Sequence, residues 1–304
     1  MLQALMAHSL SLTPGYVGRL ANTASYRYKH FTIPKARGGR RDIFHPARPL
    51  KALQRWLQSE IISKLPVHDA AAAYRKGRNI ADHARIHLKS RYLLRVDLTS
   101  FFESITAEDI SAYINSHGSH LPAGWTNADT QLFVAIVCMN GRLTIGAVTS
   151  PGISNALCFV LDERLARWCA ETDITYTRYA DDMFFSTSVP DLLGNVPALV
   201  EETLGSVPYP ASLHINYSKT RHSSLKRRRR VTGLVLSAQG RLCLGRGLKR
   251  RIRSQIHRLD TLDTRERTQL AGLLAHVKDL EPAFFNRLVL KYGDGASAAS
   301  RPPG

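Results

Sequence analysis

Four consecutive residues, Tyr179-Ala180-Asp181-Asp182, constrain this chain more than any other feature in it. Two adjacent carboxylates lie between two apolar, β-prone stretches, Ile174 to Tyr179 and Met183 to Thr187. Successive side chains of a strand point to opposite faces, so one strand cannot bury both acids. The pair is therefore expected in a tight turn, projecting from a hairpin whose strands are rooted in a core. Two anions held this close repel unless a cation sits between them, and hard divalent ions favour such oxygen ligands. For the dipeptide alone, a solvated turn is the plain alternative. Asp97 weighs against it. That acid ends an otherwise apolar, β-compatible stretch, Tyr92 to Leu98, where it would be costly unless paired or metal-bound. Three carboxylates can hold two magnesium ions, one to activate an attacking hydroxyl and one to hold a triphosphate, which is the requirement of nucleotidyl transfer.

That chemistry needs a surface for a polyanion, and the charge balance supplies it. The 304 residues carry 42 Lys plus Arg against 24 Asp plus Glu, a net charge of +18. Nucleic acid is the commonest partner of so basic a chain. The cations cluster twice. One cluster, Lys35 to Arg41, contains Arg37, Arg40 and Arg41 around Gly38-Gly39. The other is Lys226 to Arg230, followed by Arg241, Arg246 and Lys249-Arg250-Arg251. A single basic run is usually a solvated loop, but two runs flanking an acidic, apolar middle favour a groove. Four cysteines form no CxxC pair, which argues against a zinc finger or a disulfide scaffold and fits a reducing, cytoplasmic setting. No apolar run approaches the length of a membrane helix, so no membrane partner is expected. Met1 to Leu12 lacks the basic leader and long apolar core of a secretory signal.

The periodicities sketch an α+β fold. A helical N-terminal part to about Asn22 precedes two extended stretches, Tyr26 to Ile33 and Arg40 to His45, which suggest a hairpin. Leu50, Leu53, Leu57, Ile61 and Leu65 are spaced for an amphipathic helix over Leu50 to Lys64. Ser150-Pro151 reads as a helix start, serine at the cap and proline at the first position, with an apolar face running from Ile153 to Trp168. Val231 to Leu236 reads as a strand, and the chain is basic and helical after Gly245. Helices on one face of an antiparallel sheet follow from this order.

Four segments then resemble the motifs of reverse transcriptases, in order and spacing: Leu94 to Ile105, Gly146 to Asn155, Tyr176 to Phe185 and Asn216 to Thr220. Two more narrow the resemblance. Val231-Thr232-Gly233-Leu234 is similar to the VTG signature of retron reverse transcriptases. His83-Ala84-Arg85-Ile86-His87 is similar to their NAxxH element, with His83 in place of asparagine. The resemblance runs from about Tyr26 to Tyr292.

It implies a right-hand polymerase. Residues 1–91 would hold N-terminal helices and fingers, 92–239 the palm, 240–292 a basic helical thumb, and 293–304 a disordered tail. Asp97, Asp181 and Asp182 match the catalytic, magnesium-holding carboxylates, and Leu98, beside Asp97, is assigned to the metal site with them. Phe102, five residues after Asp97, falls where the family places an aromatic steric gate under the sugar 2′ carbon. The backbone amides of Ser100 and Phe101 would meet the triphosphate of the incoming dNTP. Arg41 matches the fingers arginine on its phosphates, with Lys35 assisting, and Lys219 matches the lysine near the pyrophosphate. Where the family often has LPQG, this chain has Leu143-Thr144-Ile145-Gly146, so Ile145 offers shape but no hydrogen bonds under the nucleotide. The expected RNA contacts are His83, His87, Arg227, Arg228, Arg229, Arg230, Thr232, Gly233, Lys249, Arg250 and Arg251. His83 and His87, four apart, have a spacing zinc permits, but no third ligand is evident nearby, and packing or RNA contact is the preferred role.

The retron resemblance implies RNA-templated DNA synthesis on the enzyme's own structured non-coding RNA. Priming would come from a guanosine 2′-OH, giving multicopy single-stranded DNA that stays with RNA and enzyme. It also implies an effector or toxin protein encoded beside it, acting with it in anti-phage defence. A diversity-generating or unassigned reverse transcriptase, and a non-catalytic RNA-binding scaffold of the same fold, remain the alternatives. Val231 to Leu234 and Ser150-Pro151 favour the retron, and the three intact aspartates favour an enzyme.

Overall fold

A computed structural model describes residues 1–35 and 38–293. Arg37 of the first basic cluster and residues 294–304 of the expected tail lie outside the described residues. The helical start divides into α1 (Leu2–Ser9) and α2 (Pro14–Asn22), the second capped by the Thr13 side chain on the Tyr16 amide. The expected hairpin follows. Strands β1 (Tyr28–Pro34) and β2 (Arg40–Pro46) pair antiparallel from Tyr28 opposite Pro46 to Pro34 opposite Arg40. Gly38 and Gly39, at φ +91° and +80°, supply the left-handed backbone of its tip. Helix α3 (Arg48–Glu60) buries Leu50, Leu53 and Leu57, the face that the spacing marks out. It stops short of Lys64, and Ile62–Lys64 forms a separate 3₁₀ turn.

Next come α4 (Ile80–Ile86), capped by Asn79, and the apolar strand β3 (Tyr92–Asp97). Helices α5 (Ala107–Ser116) and α6 (Asn127–Val137) each open on a capping box, Thr106 with Asp109 and Thr126 with Asp129. The helix expected from Ser150 to Trp168 is two helices, α7 (Ser150–Leu157) and α8 (Phe159–Glu171), broken at Cys158. Its cap position is Thr149 rather than Ser150. Ser150 lies within the helix and donates its hydroxyl to the Thr144 carbonyl at 2.8 Å, so its side chain fixes the preceding loop instead of the helix end. Strands β4 (Thr175–Tyr179) and β5 (Asp182–Thr187) flank the acidic turn. Helix α9 (Val196–Ser206) and strand β6 (Arg221–Ser224) follow.

The expected strand Val231 to Leu236 is instead a tight hairpin. Strands β7 (Arg229–Val231) and β8 (Leu234–Leu236) pair with Val231 opposite Leu234, leaving Thr232-Gly233 as the turn. Both turn residues have positive φ, +45° and +86°, as a two-residue hairpin turn of the primed type requires. Strand β9 (Leu242–Cys243) completes this small sheet, and α10 (Arg246–His257), α11 (Thr264–Leu280) and α12 (Pro282–Tyr292) close the chain.

The larger sheet has the order β4-β5-β3-β6, so the strands that carry Asp182 and Asp97 are the two central ones. Both are buried along most of their length. Two compact units result. One comprises 1–76, 95–185 and 191–221 and contains all three aspartates. The other comprises 77–94, 186–190 and the chain from 222 onward. The second has its own core, which includes Val231, Leu234, Ile252, Leu270, Leu274 and Phe284.

Candidate active site

The turn between β4 and β5 consists of Ala180 and Asp181, and Asp182 is the first residue of β5. Ala180 adopts φ +56°, a left-handed turn conformation that reverses the chain within two residues. The backbone ties this turn to the end of β3: the Leu98 amide donates to the Asp181 carbonyl at 2.9 Å. The Asn216 amide in turn donates to the Asp97 carbonyl at 2.7 Å. Carboxylate oxygens of Asp97, Asp181 and Asp182 thereby come within 4.8 Å of one another. Leu98 is buried and its amide helps to lock the acids in place.

Three clustered acids in a partly dry site need countercharge, and two side chains provide it. Arg95 donates from Nε to Asp182 Oδ1 at 2.8 Å and from its terminal nitrogen to Asp97 Oδ2 at 3.3 Å. Lys219 donates to Asp97 Oδ1 at 2.9 Å. Asp97 is only 2% exposed. Burial pushes the Asp182 carboxyl up to about 6, against the lowering effect of Arg95 and with the Asp181 charge adding to the rise. Asp181 is raised as well, by burial first and by Asp97 among its neighbours. Such a set fits divalent metal ions on its own chemistry: hard oxygen ligands at short mutual distance, whose repulsion a cation relieves. Arg95 and Lys219 here neutralise the acids that such ions would neutralise.

Arg95 is a residue that the sequence reading passes over, although its signal is present. It stands two before Asp97 on one strand, hence on the same face. A second missed group anchors the hairpin. Arg178 is fully buried and grips buried Asp162 of α8, Nε to Oδ1 at 2.8 Å and Nη2 to Oδ2 at 2.6 Å. Its Nη1 reaches Asn155 Oδ1 at 3.2 Å and the Ala180 carbonyl at 3.3 Å. Tyr176 donates its hydroxyl to the same Asp162 at 2.8 Å. Burial alone would favour a neutral Arg178, but Asp162 outweighs it and keeps the guanidinium charged.

The other expected nucleotide contacts lie in the same unit. Phe102 is half-buried, and its ring packs edge-on to buried Phe101 at 5.3 Å. Ser100 is exposed at φ +43°, and neither its amide nor that of Phe101 has an acceptor among the described residues. Arg41 and Lys35 are exposed on the β1–β2 hairpin, Arg41 opposite Ile33. The Ile145 carbonyl accepts the Phe44 amide of β2 at 2.8 Å, which ties this hairpin to the Leu143–Gly146 loop. At the next residue a Cβ would lie 2.7 Å from the Phe44 carbonyl oxygen, and φ is +109°, so Gly146 is required there.

The expected RNA contacts divide. Arg227, Arg228 and Arg230 are exposed, as are Arg250 and Arg251. Arg229 differs from them, being only 1% exposed. It donates instead to the backbone carbonyls of Ser90 and Ser237, because strand alternation turns this one member of the run inward. Lys249 is likewise engaged within the fold: it pairs with Glu281 at 2.5 Å and lies over the Phe284 ring, joining α10 to α12. His83 and His87 are buried, His87 against the Ser186 hydroxyl at 2.8 Å and their rings edge-to-face at 5.7 Å. Burial lowers them to about 4 and about 3, which favours the neutral form and the packing alternative of the two expected roles. Thr232 is partly exposed and Gly233 exposed at the hairpin turn.

A central sheet bearing three convergent aspartates, with helices packed on it, defines a right-hand nucleic-acid polymerase. The family of reverse transcriptases (RNA-dependent DNA polymerases) matches residues 33–237. A retron reverse transcriptase of Escherichia coli, Ec83, is 36% identical over 287 residues, covering 92% of this chain and 92% of its own length. A second from Escherichia coli, Ec73, is 32% identical over 87% of this chain and 86% of its own. Retron Mx162 reverse transcriptase of Myxococcus xanthus is 33% identical over 94% of this chain and 64% of its own. Among solved structures, telomerase from Candida albicans in complex with a TWJ fragment of telomeric RNA superposes with a TM-score of 0.50 at 11% identity. That match covers 95% of this chain and 59% of the telomerase chain, and it bears on the fold alone. This chain belongs to the retron reverse transcriptases and is an RNA-directed DNA polymerase.

Proposed function

We propose that this enzyme copies part of its own structured non-coding RNA into multicopy single-stranded DNA, starting from a guanosine 2′-OH of that RNA. The observation that carries the reading is the convergence of Asp97, Asp181 and Asp182 in a chain matched along most of its length by retron enzymes. In each addition the attacking hydroxyl loses its proton and its oxygen bonds to the α-phosphorus of a dNTP. The bond from that phosphorus to the bridging oxygen breaks, and pyrophosphate leaves. Magnesium, held by the three aspartates with Leu98 beside them, would supply electrostatic stabilisation of the charge that develops. This chain's residues do the rest. Arg41, with Lys35, binds the phosphates, the Ser100 and Phe101 amides cradle them, and Lys219 stands beside the leaving group. Phe102 closes the space a ribose 2′-OH would need, and Ile145 packs beneath the nucleotide. Residues through Arg91 serve as fingers, 92–239 as palm and 240–292 as thumb.

On the RNA side, Arg227, Arg228, Arg230, Arg250 and Arg251 supply phosphate contacts, which carry affinity without sequence information. The Thr232-Gly233 turn presents backbone to a structured element, where RNA shape is read. The enzyme works in the cytoplasm, its product stays attached, and an effector encoded beside it completes an anti-phage device. No helix among the described residues is long and apolar enough to cross a membrane. Purification from its own host with bound nucleic acid tests the reading. The expected result is DNA whose 5′ end is joined to an internal 2′ oxygen of one RNA; recovery of only linear cDNA, or of RNA without DNA, would overturn it.

A further inference from the structure

Tyr74 belongs to none of the groups described above, yet it is placed with unusual care. The segment Ala70 to Ala73 is entirely buried and runs along β4 as an extra edge. The Arg178 amide donates to the Ala70 carbonyl and the Ala72 amide to the Arg178 carbonyl, each at 2.8 Å. Asn155 Nδ2 then holds the Ala73 carbonyl at 2.9 Å. This rigid rail ends at Tyr74, whose backbone is left-handed at φ +61° and which is 53% exposed. A bulky residue seldom persists in that conformation unless its surroundings impose it, and such residues cluster at ligand sites. A core role is excluded by the exposure, and a glycine would satisfy the backbone better.

The ring points to the nucleotide side of the site. Its centroid lies 6.5 Å from that of Phe102, tilted by 46°. Burial raises the Tyr74 phenol, the Asp181 and Tyr179 charges add to the rise, and Arg178 and then Arg41 oppose it. This exposed aromatic ring stands beside the gate residue, and so borders the space that the gate reading gives to the sugar of a bound nucleotide.

We propose that Tyr74 and Phe102 together form a two-ring wall against the sugar of the incoming deoxynucleoside triphosphate, making Tyr74 a second determinant of sugar selection. The proposal rests on the reading of Phe102 as the steric gate, so both positions are tested side by side. Tyr74→Gly suits the left-handed backbone and removes the whole side chain; Tyr74→Phe keeps the ring and removes only the hydroxyl. In steady-state synthesis on a defined RNA template, Tyr74→Gly is expected to keep the wild-type melting temperature. It should raise KM for dNTPs by roughly tenfold, with a smaller change in kcat, and increase rNTP use relative to dNTP use several-fold. Tyr74→Phe should restore the wild-type sugar preference. Phe102→Ala provides the reference. If it relaxes sugar choice while Tyr74→Gly leaves both KM and sugar choice unchanged, the proposal falls and the gate stands. If neither variant alters sugar choice, the gate reading falls and the proposal with it. A Tyr74→Gly enzyme that melts earlier and loses kcat at constant KM would make the residue structural, which also overturns the proposal.

Discussion

Two arginine-bearing hairpins of this chain obey opposite logics. In the β4–β5 hairpin, Arg178 is wholly buried, its charge answered by Asp162, and its reach extends to the Ala180 carbonyl of the acidic turn. In the β7–β8 hairpin, Arg229 is buried too, but its donors go to backbone carbonyls, and its neighbours Arg228 and Arg230 are exposed. The first arginine belongs to a closed network that fixes where two acids stand. The second is one member of a basic run, turned inward by strand periodicity and separated in environment from cations that look identical in sequence. Charge in a run therefore does not assign a role; the face of the strand does.

The comparison can be broken at four places, with effects that should decrease in order. Arg178→Met leaves Asp162 buried with its charge uncompensated and only the Tyr176 hydroxyl as partner, at a cost of about 3–5 kcal/mol. Chemical denaturation should show that loss, and DNA synthesis should fall with it because the turn loses its anchor. Arg229→Met removes donors from the part-buried carbonyls of Ser90 and Ser237 and should cost about 1–3 kcal/mol. Its RNA affinity, measured on whatever fraction stays folded, should change less than its stability. A large affinity loss at unchanged stability would put Arg229 at the ligand after all.

The third concerns pH. His83 and His87 are held below their ordinary value of 6.5, so the unfolded chain binds protons that the folded one refuses. Their contribution to stability is complete above about pH 6.5 and is lost as pH falls toward their folded values. The acids Asp181 and Asp182 are shifted upward and act in the opposite sense, so the slope must be compared between variants. His87→Asn should reduce the acid-side slope by about 1.4 kcal/mol per pH unit. An unchanged slope would mean that His87 is not buried neutral. The smallest stability effect belongs to Arg227, Arg228 and Arg230. Replacing all three with glutamine should move stability by less than about 0.5 kcal/mol. It should also weaken cognate and unrelated RNA alike, and flatten the salt dependence by about 0.7 for each single-strand phosphate that is no longer neutralised.

Much of the active site is legible in the sequence because its chemistry is local. Asp181 and Asp182 sit in a turn bounded by apolar strands, and Asp97 ends a strand, so burial and repulsion together point to all three. The β1–β2 hairpin is readable from Gly38-Gly39 and the α3 face from its leucine spacing. What escapes is what depends on partners distant in sequence. Arg178 finds Asp162 sixteen residues away, and Arg95 finds Asp182 eighty-seven away. Tyr74 acquires meaning only when its rail packs on β4. The split of the Ser150–Trp168 helix at Cys158 and the hairpin at Thr232-Gly233 are hidden for another reason. Apolar periodicity continues through both, and only the positive φ of Thr232 and Gly233 separates a hairpin from a strand.

Asp97, Asp181 and Asp182 should act as one metal-holding catalytic centre in an enzyme that otherwise stays intact without it. The most direct measurement is DNA synthesis and RNA binding by the Asp181→Asn, Asp182→Asn double variant, which keeps side-chain size while removing both charges. Synthesis should fall by roughly a thousandfold or more, the scale expected when a charge-stabilising centre is removed, while the melting temperature and the amount of co-purifying RNA stay at wild-type levels. Wild-type cDNA yield from the double variant would contradict a catalytic role for these acids.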